Sequence, residues 1–408
     1  MFKRTDKVKK KRQSSLFRWV VDKLHLWLGM ASGLIVLLLG ITGCLFVFQK
    51  EINDVYYRKV LFVTPQQTPV LPVSELKKTA QAALGPDKPI LNITTYADPA
   101  NAWEFMTYKG NDTALTYFGT VEYYEAVMLN PYTGKITGKI DYKHNFFSVV
   151  KGLHWSLLLN DKYGQPVIGW GTFIFVILLI TGLIMWWPKK WNKANREKSF
   201  KIKWNASFKR VNYDLHNVLG FYAMLVALII AFTGMVWAFK WFQATVYVVA
   251  SGTTTPPAFV ERHSKKTADP VSANPLDLAF EKAKPILKGS KRIFIFPASD
   301  SAGVNTIGGY KRSETFYGSD ELHFDQYSAA LLGRTNDSHR NRGERLISMN
   351  YDIHVGAIAG LPGKILAFVI SLICASLPVT GFYVWWGKQK KSKKKPVVIR
   401  EAAVANRM

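Results

Sequence analysis

Four stretches without a single Asp, Glu, Lys or Arg constrain this chain more than any other feature: Leu26–Phe48, Val167–Trp187, Val218–Phe239 and Ile365–Trp386. Each is long enough, at about 1.5 Å of rise per helical residue, to cross about 30 Å of hydrocarbon. They predict membrane spans rather than core helices. The formal charge of +26, from 54 Lys and Arg against 28 Asp and Glu, must then lie between the spans, which is how a chain this basic reaches a mean hydropathy of +0.01.

The charge is confined to three short segments. Residues 1–24, 188–215 and 387–408 hold twenty-six bases against Asp6, Asp22, Glu197, Asp214 and Glu401, so +21 of the +26. The positive-inside rule makes them cytoplasmic and leaves two long outer segments of roughly 115 residues each. A nucleic-acid footprint is excluded in turn, because the basic runs sit where topology needs them and have no aromatic interleaving. The two cysteines are too few for a disulfide framework or a Cys-based zinc site. Trp186-Trp187 and Trp385-Trp386 fit an interfacial belt. Ile41-Thr42-Gly43-Cys44 resembles a lipoprotein cleavage box, but Phe232-Thr233-Gly234-Met235 repeats its place without the cysteine. Thr-Gly therefore reads as a small-residue packing element between helices, and Cys44 as an apolar side chain rather than a lipid anchor.

The chain repeats itself. Leu24-His25-Leu26-Trp27-Leu28-Gly29 returns as Leu215-His216-Asn217-Val218-Leu219-Gly220, and each histidine is followed by Thr-Gly at the same spacing, Thr42 and Thr233. The second and fourth spans share Thr181-Gly182 and Thr380-Gly381 before a Trp-Trp pair, and both are preceded by a histidine, His154 and His354. Asn130-Pro131-Tyr132-Thr133 before Gly138 matches Asp325-Gln326-Tyr327-Ser328 before Gly333. Two copies of a helix, outer domain, helix unit with the same orientation imply a pseudo-two-fold axis along the membrane normal. His25 and His216 then face each other at the cytoplasmic edge, and His154 and His354 on the outer side. The latter two sit on short helices, separated from their spans by turn-rich breaks at Asn160–Gly164 and Gly360–Gly363.

One histidine on an apolar stretch is usually a hydrogen-bonded core residue, but four in matched positions, from eight in the chain, are functional candidates. Two imidazoles across a bundle axis are what bis-histidine haem ligation requires. Proton relay competes, but the spans offer no Asp or Glu to continue one. Zinc lacks a third and fourth ligand. His144, His263, His323 and His339 have no counterparts and read as surface side chains. Tyr213-Asp214 and Tyr351-Asp352 precede two candidates in the string Asn-Tyr-Asp-Leu/Ile-His, where the tyrosine shares the histidine's helix face and the aspartate suits a helix start.

The outer segments predict α+β modules. The first is a helix from Val73 to Leu84, with Ser74 at its start but no full capping box, then strands Ile90–Tyr96, Trp103–Tyr108, Glu122–Leu129 and Lys135–Tyr142. The second is a helix from Pro275 to Lys284 stopped by Pro285, then Arg292–Pro297, Thr315–Tyr317, His323–Tyr327 and Ala330–Gly333. Neither carries a phosphate loop, a nucleophile with its base, or paired carboxylates.

The Leu-His-x-x-x-Gly start, the module ending Asn-Pro-Tyr-Thr-Gly-Lys-Ile-Thr-Gly, the Leu-His-Trp segment and the Thr-Gly-x-x-x-Trp-Trp-Pro ending together resemble the PepSY-associated transmembrane family over nearly the whole chain. The resemblance implies an α-helical membrane protein of four spans in two tandem repeats, each with a PepSY-like periplasmic α+β domain, in a bacterial inner membrane with both termini cytoplasmic. The boundaries expected are a basic N-terminus at 1–24, spans at 25–49, 166–187, 216–240 and 364–386, periplasmic domains at 50–165 and 241–363, a basic loop at 188–215 and a basic tail at 387–408. It further implies two b-type haems with His25, His216, His154 and His354 as axial iron ligands, and reduction of ferric siderophores or other ferric chelates in the periplasm. No GxGxxG opens a helix, so the electron donor, a quinol or a flavoprotein, is a separate molecule. Two readings compete with this oxidoreductase: a non-redox membrane regulator whose outer modules bind a peptide or protease, and, more weakly, a transporter.

Overall fold

In the computed structural model each apolar run lies in a helical stretch longer than the run itself. The structure describes residues 16–188, 190–257, 260–266 and 273–392; most of the predicted basic N-terminus, Lys189 and the tail beyond 392 lie outside them. In chain order the principal elements are helices α1 (Leu16–Val47), α2 (Gln49–Tyr56) and α3 (Val73–Leu84), then strands β1 (Asn92–Tyr96), β2 (Trp103–Gly110), β3 (Val121–Leu129) and β4 (Ile136–Asp141). Helices α4 (Phe146–Ser156), α5 (Asp161–Trp186), α6 (Phe208–Asp214), α7 (Gly220–Ala238) and α8 (Pro275–Ile286) follow. Strands β5 (Arg292–Phe296), β6 (Val304–Tyr310), β7 (Ser319–Asp325) and β8 (Leu331–Thr335) precede helices α9 (Asn350–His354) and α10 (Gly360–Ser392).

Four helical stretches, Leu16–Val47, Asp161–Trp186, Phe208–Ala238 and Ala357–Gln389, are long and apolar enough to cross a membrane. Only 28 to 33% of their most apolar windows is buried inside the protein, and Leu34, Leu225 and Leu372 stand more than half exposed. Such surface suits lipid rather than water. The aromatic belt is narrower than predicted. Trp187 is exposed, but Trp186 is buried, stacked on Phe221 at 3.7 Å between ring centres, with its indole N–H donated to the Ser199 carbonyl.

The chain forms two compact units. The first comprises Met1–Leu37, Ile174–Leu225 and Ile373–Met408; the second comprises Leu38–Phe173 and Val226–Leu372 and contains all eight strands. The outer segments, read in the sequence as two separate modules, build a single antiparallel sheet of order β4-β3-β2-β1-β5-β6-β7-β8. Two four-stranded meanders meet edge to edge where β1 pairs β5, from Ile93↔Ile295 to Tyr96↔Arg292. The pairing satisfies two edges that would otherwise present unpaired backbone groups.

Period-two burial selects the faces. In β2, Trp103, Phe105 and Thr107 point to one side, where α3 and α8 cover Ile93, Phe105, Val127, Ile295, Ile307, Leu322 and Phe324. Truncating one of these large side chains to alanine typically costs about 3–5 kcal/mol for Phe. Ser74 does not cap α3. Its backbone N–H and hydroxyl instead donate to the Asp277 carboxylate of α8, which brings a negative charge to the first turn of α3. Helix α8 carries Pro285 in its last turn and ends one residue later at Ile286, slightly beyond the predicted stop.

One strand escaped prediction. Residues Thr315–Tyr317 are loop, and the place expected of them is taken by β6, whose Gly308-Gly309 pair reads as a strand breaker. The glycines are required by packing. A Cβ on Gly308 would lie 2.1 Å from Cζ of Phe294, and one on Gly309 would lie 2.3 Å from Oγ of Ser290. Gly308→Ala should therefore destabilise the sheet by roughly 1–3 kcal/mol. In a double-mutant cycle read by thermal melts, Gly308→Ala should cost less in a Phe294→Ala background than in the parent; equal costs in the two backgrounds would place the clash elsewhere.

The opposite sheet face carries Glu104, which accepts the Tyr142 hydroxyl at 2.6 Å. Burial raises its carboxyl above the usual value, against the opposing pull of Tyr142 and Arg292. A raised folded pKa means stability that is present below the unfolded value of 4.5 and lost as pH rises through the folded one. Glu104→Gln should flatten that decline in melting temperature above pH 4.5.

Candidate functional site

The structure brings the four predicted histidines together as two pairs, each inside one unit. In the first unit the rings of His25, on α1, and His216 are 6.3 Å apart between centres, with planes at 86°. In the second, His154, on α4, and His354, at the end of α9, are 6.1 Å apart with planes at 75°. All four imidazoles are half-buried, so each keeps part of its surface open.

Local backbone places them differently from the sequence reading. The chain breaks after His154 at Leu157 and Leu158, both in the left-handed region at φ 58, and after His354 at Gly356, φ 77. Asp161–Gly164 and Gly360–Gly363, predicted as breaks, already belong to α5 and α10. His216 lies in a π-helical turn, Leu215–Leu219, between α6 and α7. Such wide turns are rare and concentrate at functional sites.

Every imidazole rests on one of the Thr-Gly pairs. Nδ1 of His25 lies 2.9 Å from the Thr181 hydroxyl, and that of His216 lies 3.0 Å from Thr380. In the second unit His154 meets Thr42 at 2.8 Å and His354 meets Thr233 at 2.8 Å. The direction of these bonds follows from the threonines. Each hydroxyl donates its one proton to a carbonyl of its own helix: Thr42 to Leu38 at 2.7 Å, Thr181 to Ile177 at 2.8 Å, Thr233 to Ile230 at 2.7 Å and Thr380 to Ser376 at 2.9 Å. The oxygen is left to accept, so Nδ1–H donates. In the neutral imidazole the lone pair then resides on Nε2. Burial, and for His154 also the facing imidazole, drives the pKa of His154 to about 3 and, by burial, that of His354 to about 4, so both stay neutral.

The glycines of the same pairs make room for the rings. A Cβ on Gly381 would lie 3.0 Å from Cε1 of His216, on Gly182 3.4 Å from that of His25, on Gly234 3.7 Å from that of His354 and on Gly43 3.8 Å from that of His154. Thr-Gly is thus a seat for an imidazole, not only the helix-packing element read from the sequence. Cys44 follows its Thr-Gly inside α1 and donates to the Phe368 carbonyl at 3.4 Å.

Two imidazoles sharing one metal ion have ring centres roughly 6 Å apart, given metal–nitrogen bonds of about 2.0–2.1 Å. Both pairs have that separation. Among the described residues no group of three or more His, Cys, Asp or Glu is placed to hold a metal. A group bound here would receive two nitrogens from the protein and must bring its remaining ligands with it.

The tyrosines that share the histidines' helix face make other contacts. Tyr213 is exposed beside Arg210, and Tyr351 accepts from Gln49 at 3.3 Å with its ring on Phe316. Asp214 ends α6 and Asp352 lies within α9, so neither starts a helix. The string works through its asparagines instead. Asn212 Nδ2 donates to the Thr380 carbonyl and Asn350 Nδ2 to the Thr233 carbonyl, each at 3.0 Å. The remaining histidines make local contacts: His144 with Asp141 at 2.7 Å, His263 beside Glu261 at 3.5 Å and His323 with Thr306 at 3.1 Å, while His339 ends a short 3-10 turn.

The Cβ distances rank the seats. Gly381→Ala should push His216 off Thr380 and cost about 1–3 kcal/mol as overpacking. Gly234→Ala, in ordinary contact, should melt near the parent temperature in detergent. Equal melting temperatures would show that neither glycine makes room for a ring.

No curated protein matches the chain. A family described as the PepSY-associated TM region matches residues 23–388, which takes in the apolar run of each of the four long helices, the sheet and every one of the four histidines. This chain is therefore a multi-pass membrane protein, residing in a lipid bilayer, and belongs to the PepSY-associated transmembrane family.

Proposed function

We propose that this protein carries two b-type haems, one on His25 and His216 and one on His154 and His354, and passes electrons across a bacterial inner membrane to a ferric siderophore or other ferric chelate in the periplasm. The observation that carries the reading is the paired geometry: facing imidazoles a metal ion's width apart, each donating Nδ1–H to a threonine and so keeping Nε2 free. When bound, haem supplies one-electron exchange between ferric and ferrous iron, and its four porphyrin nitrogens complete a ligand set for which the protein provides only two.

The chain's own residues hold and orient. Thr42, Thr181, Thr233 and Thr380 fix the tautomer and ring plane and raise the basicity of the coordinating nitrogen, as outer hydrogen-bond partners of ligating histidines do. The glycines beside them let the ring approach the helix backbone. The basic segments orient the chain with both termini in the cytoplasm. On this orientation His25 and His216 lie on the side of the donor, a quinol or a flavoprotein, and His154 and His354 on the side of the chelate. One electron per iron converts Fe(III), which oxygen ligands favour, to Fe(II), which they hold less tightly. The matched Thr-Gly seats and the symmetric strand order also suit two tandem repeats about an axis along the membrane normal.

A groove of about 710 Å³ beside α3, reaching the start of α8 and lined by Lys77, Lys78, Gln81 and Asn274, favours a second reading, in which the sheet module captures a peptide as part of a regulator. A visible spectrum of the detergent-purified protein separates the two. Two haems per chain are expected. The double variant His25→Ala/His216→Ala should keep one and His154→Ala/His354→Ala should keep the other. A colourless preparation from haem-replete cells would sink the electron-transfer reading.

A further inference from the structure

The two members of each pair are alike toward each other but differ behind the ring. Four residues before His216 and His354 stand Asn212 and Asn350, 6% and 4% exposed. Each donates to the carbonyl of the same threonine whose hydroxyl accepts from the imidazole, Thr380 and Thr233. One helical turn therefore grips one threonine twice. Two residues before these histidines stand Asp214 and Asp352, both 0% exposed. The Asp214 carboxylate accepts Arg210 Nε at 2.8 Å and the Lys203 backbone N–H at 3.2 Å. That of Asp352 accepts the Phe316 backbone N–H at 2.9 Å. Moving the helical turn that carries either imidazole away from its threonine breaks a buried amide bond and disturbs a buried carboxylate, whose unpaired states are costly.

Behind the other two histidines these groups are missing. The positions four and two residues earlier are Val21 and Lys23 for His25, and Val150 and Gly152 for His154. No amide and no carboxylate ties either ring's helix at those places.

We propose that each pair joins one locked and one releasable imidazole, His216 and His354 being locked by Asn212 and Asn350, and His25 and His154 releasable. Both locked rings come from the second half of the chain and both releasable ones from the first. The inference rests on the haem reading for what is held, whereas the asymmetry belongs to the polypeptide. A bound group would stay on the locked ring while the opposite position opens to a nitrogen ligand from solution, with imidazole itself as the probe. Asn212 and Asn350 are positioning residues in this scheme, acting through the threonines.

The test uses the full-length protein in detergent. His25→Gly and His154→Gly should each retain both haems, and added imidazole should restore the parent spectrum. His216→Gly and His354→Gly should each lose one haem whether or not imidazole is present. Equal loss from the two members of a pair would overturn the proposal. A second readout needs no bound group. In histidine-labelled apoprotein the Nδ1–H of His216 and His354 should exchange with solvent at least about tenfold more slowly than that of His25 and His154, the effect of roughly one buried hydrogen bond on an opening equilibrium. Asn212→Leu should speed exchange at His216 and leave His354 unchanged. Uniform exchange at all four rings would refute the locking. If the purified protein held no haem, the proposed function would fall, and the exchange rates alone would decide this inference.

Discussion

The hydrogen bond from an imidazole Nδ1–H to a threonine hydroxyl is the interaction on which the rest of this site depends. It recurs four times, always with the hydroxyl proton already committed to a carbonyl of its own helix. Without that prior commitment the threonine could donate to the ring, and Nδ1 rather than Nε2 would carry the lone pair. The tautomer is therefore settled by helix geometry: a mid-helix threonine bonds back to the carbonyl three or four residues earlier and leaves its oxygen as an acceptor. A glycine follows each threonine, and at Gly381, where a Cβ would lie 3.0 Å from the His216 ring, its missing side chain is what admits the imidazole. A two-residue signature thus does the work of both placing a histidine and choosing which nitrogen it presents.

The sheet obeys a different constraint. Two meanders, each with one helix, would leave two exposed edges if they folded apart. Their joining at β1 and β5 creates one apolar layer shared by α3 and α8, with Ile93 and Ile295 opposite each other in the pairing. Asp277 of α8, bonded to the start of α3, ties the two helices above that junction. The module is consequently one body built from chain segments about two hundred residues apart, and a change in either half is felt by the other through a common core.

Much of this was legible in advance where local chemistry decides. Helix α3 begins at Val73 and ends at Leu84 as its periodicity predicts, because Val73, Leu76, Ala80 and Leu84 form one buried face and Gly85 follows. Three strands of the second meander were visible in the same way. Strand β6 was not, because Gly308 and Gly309 lower strand propensity, and their purpose appears only when the Phe294 ring and Ser290 are found where a Cβ would stand. The histidine pairs were legible from symmetry of spacing. Their seats were misread as helix packing, since a contact between residues 112 to 164 positions apart leaves no trace in local pattern. For the same reason nothing in the Asn-Tyr-Asp string sets its asparagines, which bond across to the Thr380 and Thr233 carbonyls, above its tyrosines.

By itself the sequence determined that four helices of this chain are apolar enough to leave water, and which four histidines repeat in register with them. Both follow from composition and spacing along the chain, which the hydrophobic effect and the helical period translate directly into structure. The tertiary structure alone decided that two modules share one sheet, that each imidazole stands on a threonine, and that asparagine and aspartate back only two of the four. Those outcomes depend on which polar atoms meet across helices and strand edges, and hydrogen bonds of that kind are specified by distance and direction rather than by residue type.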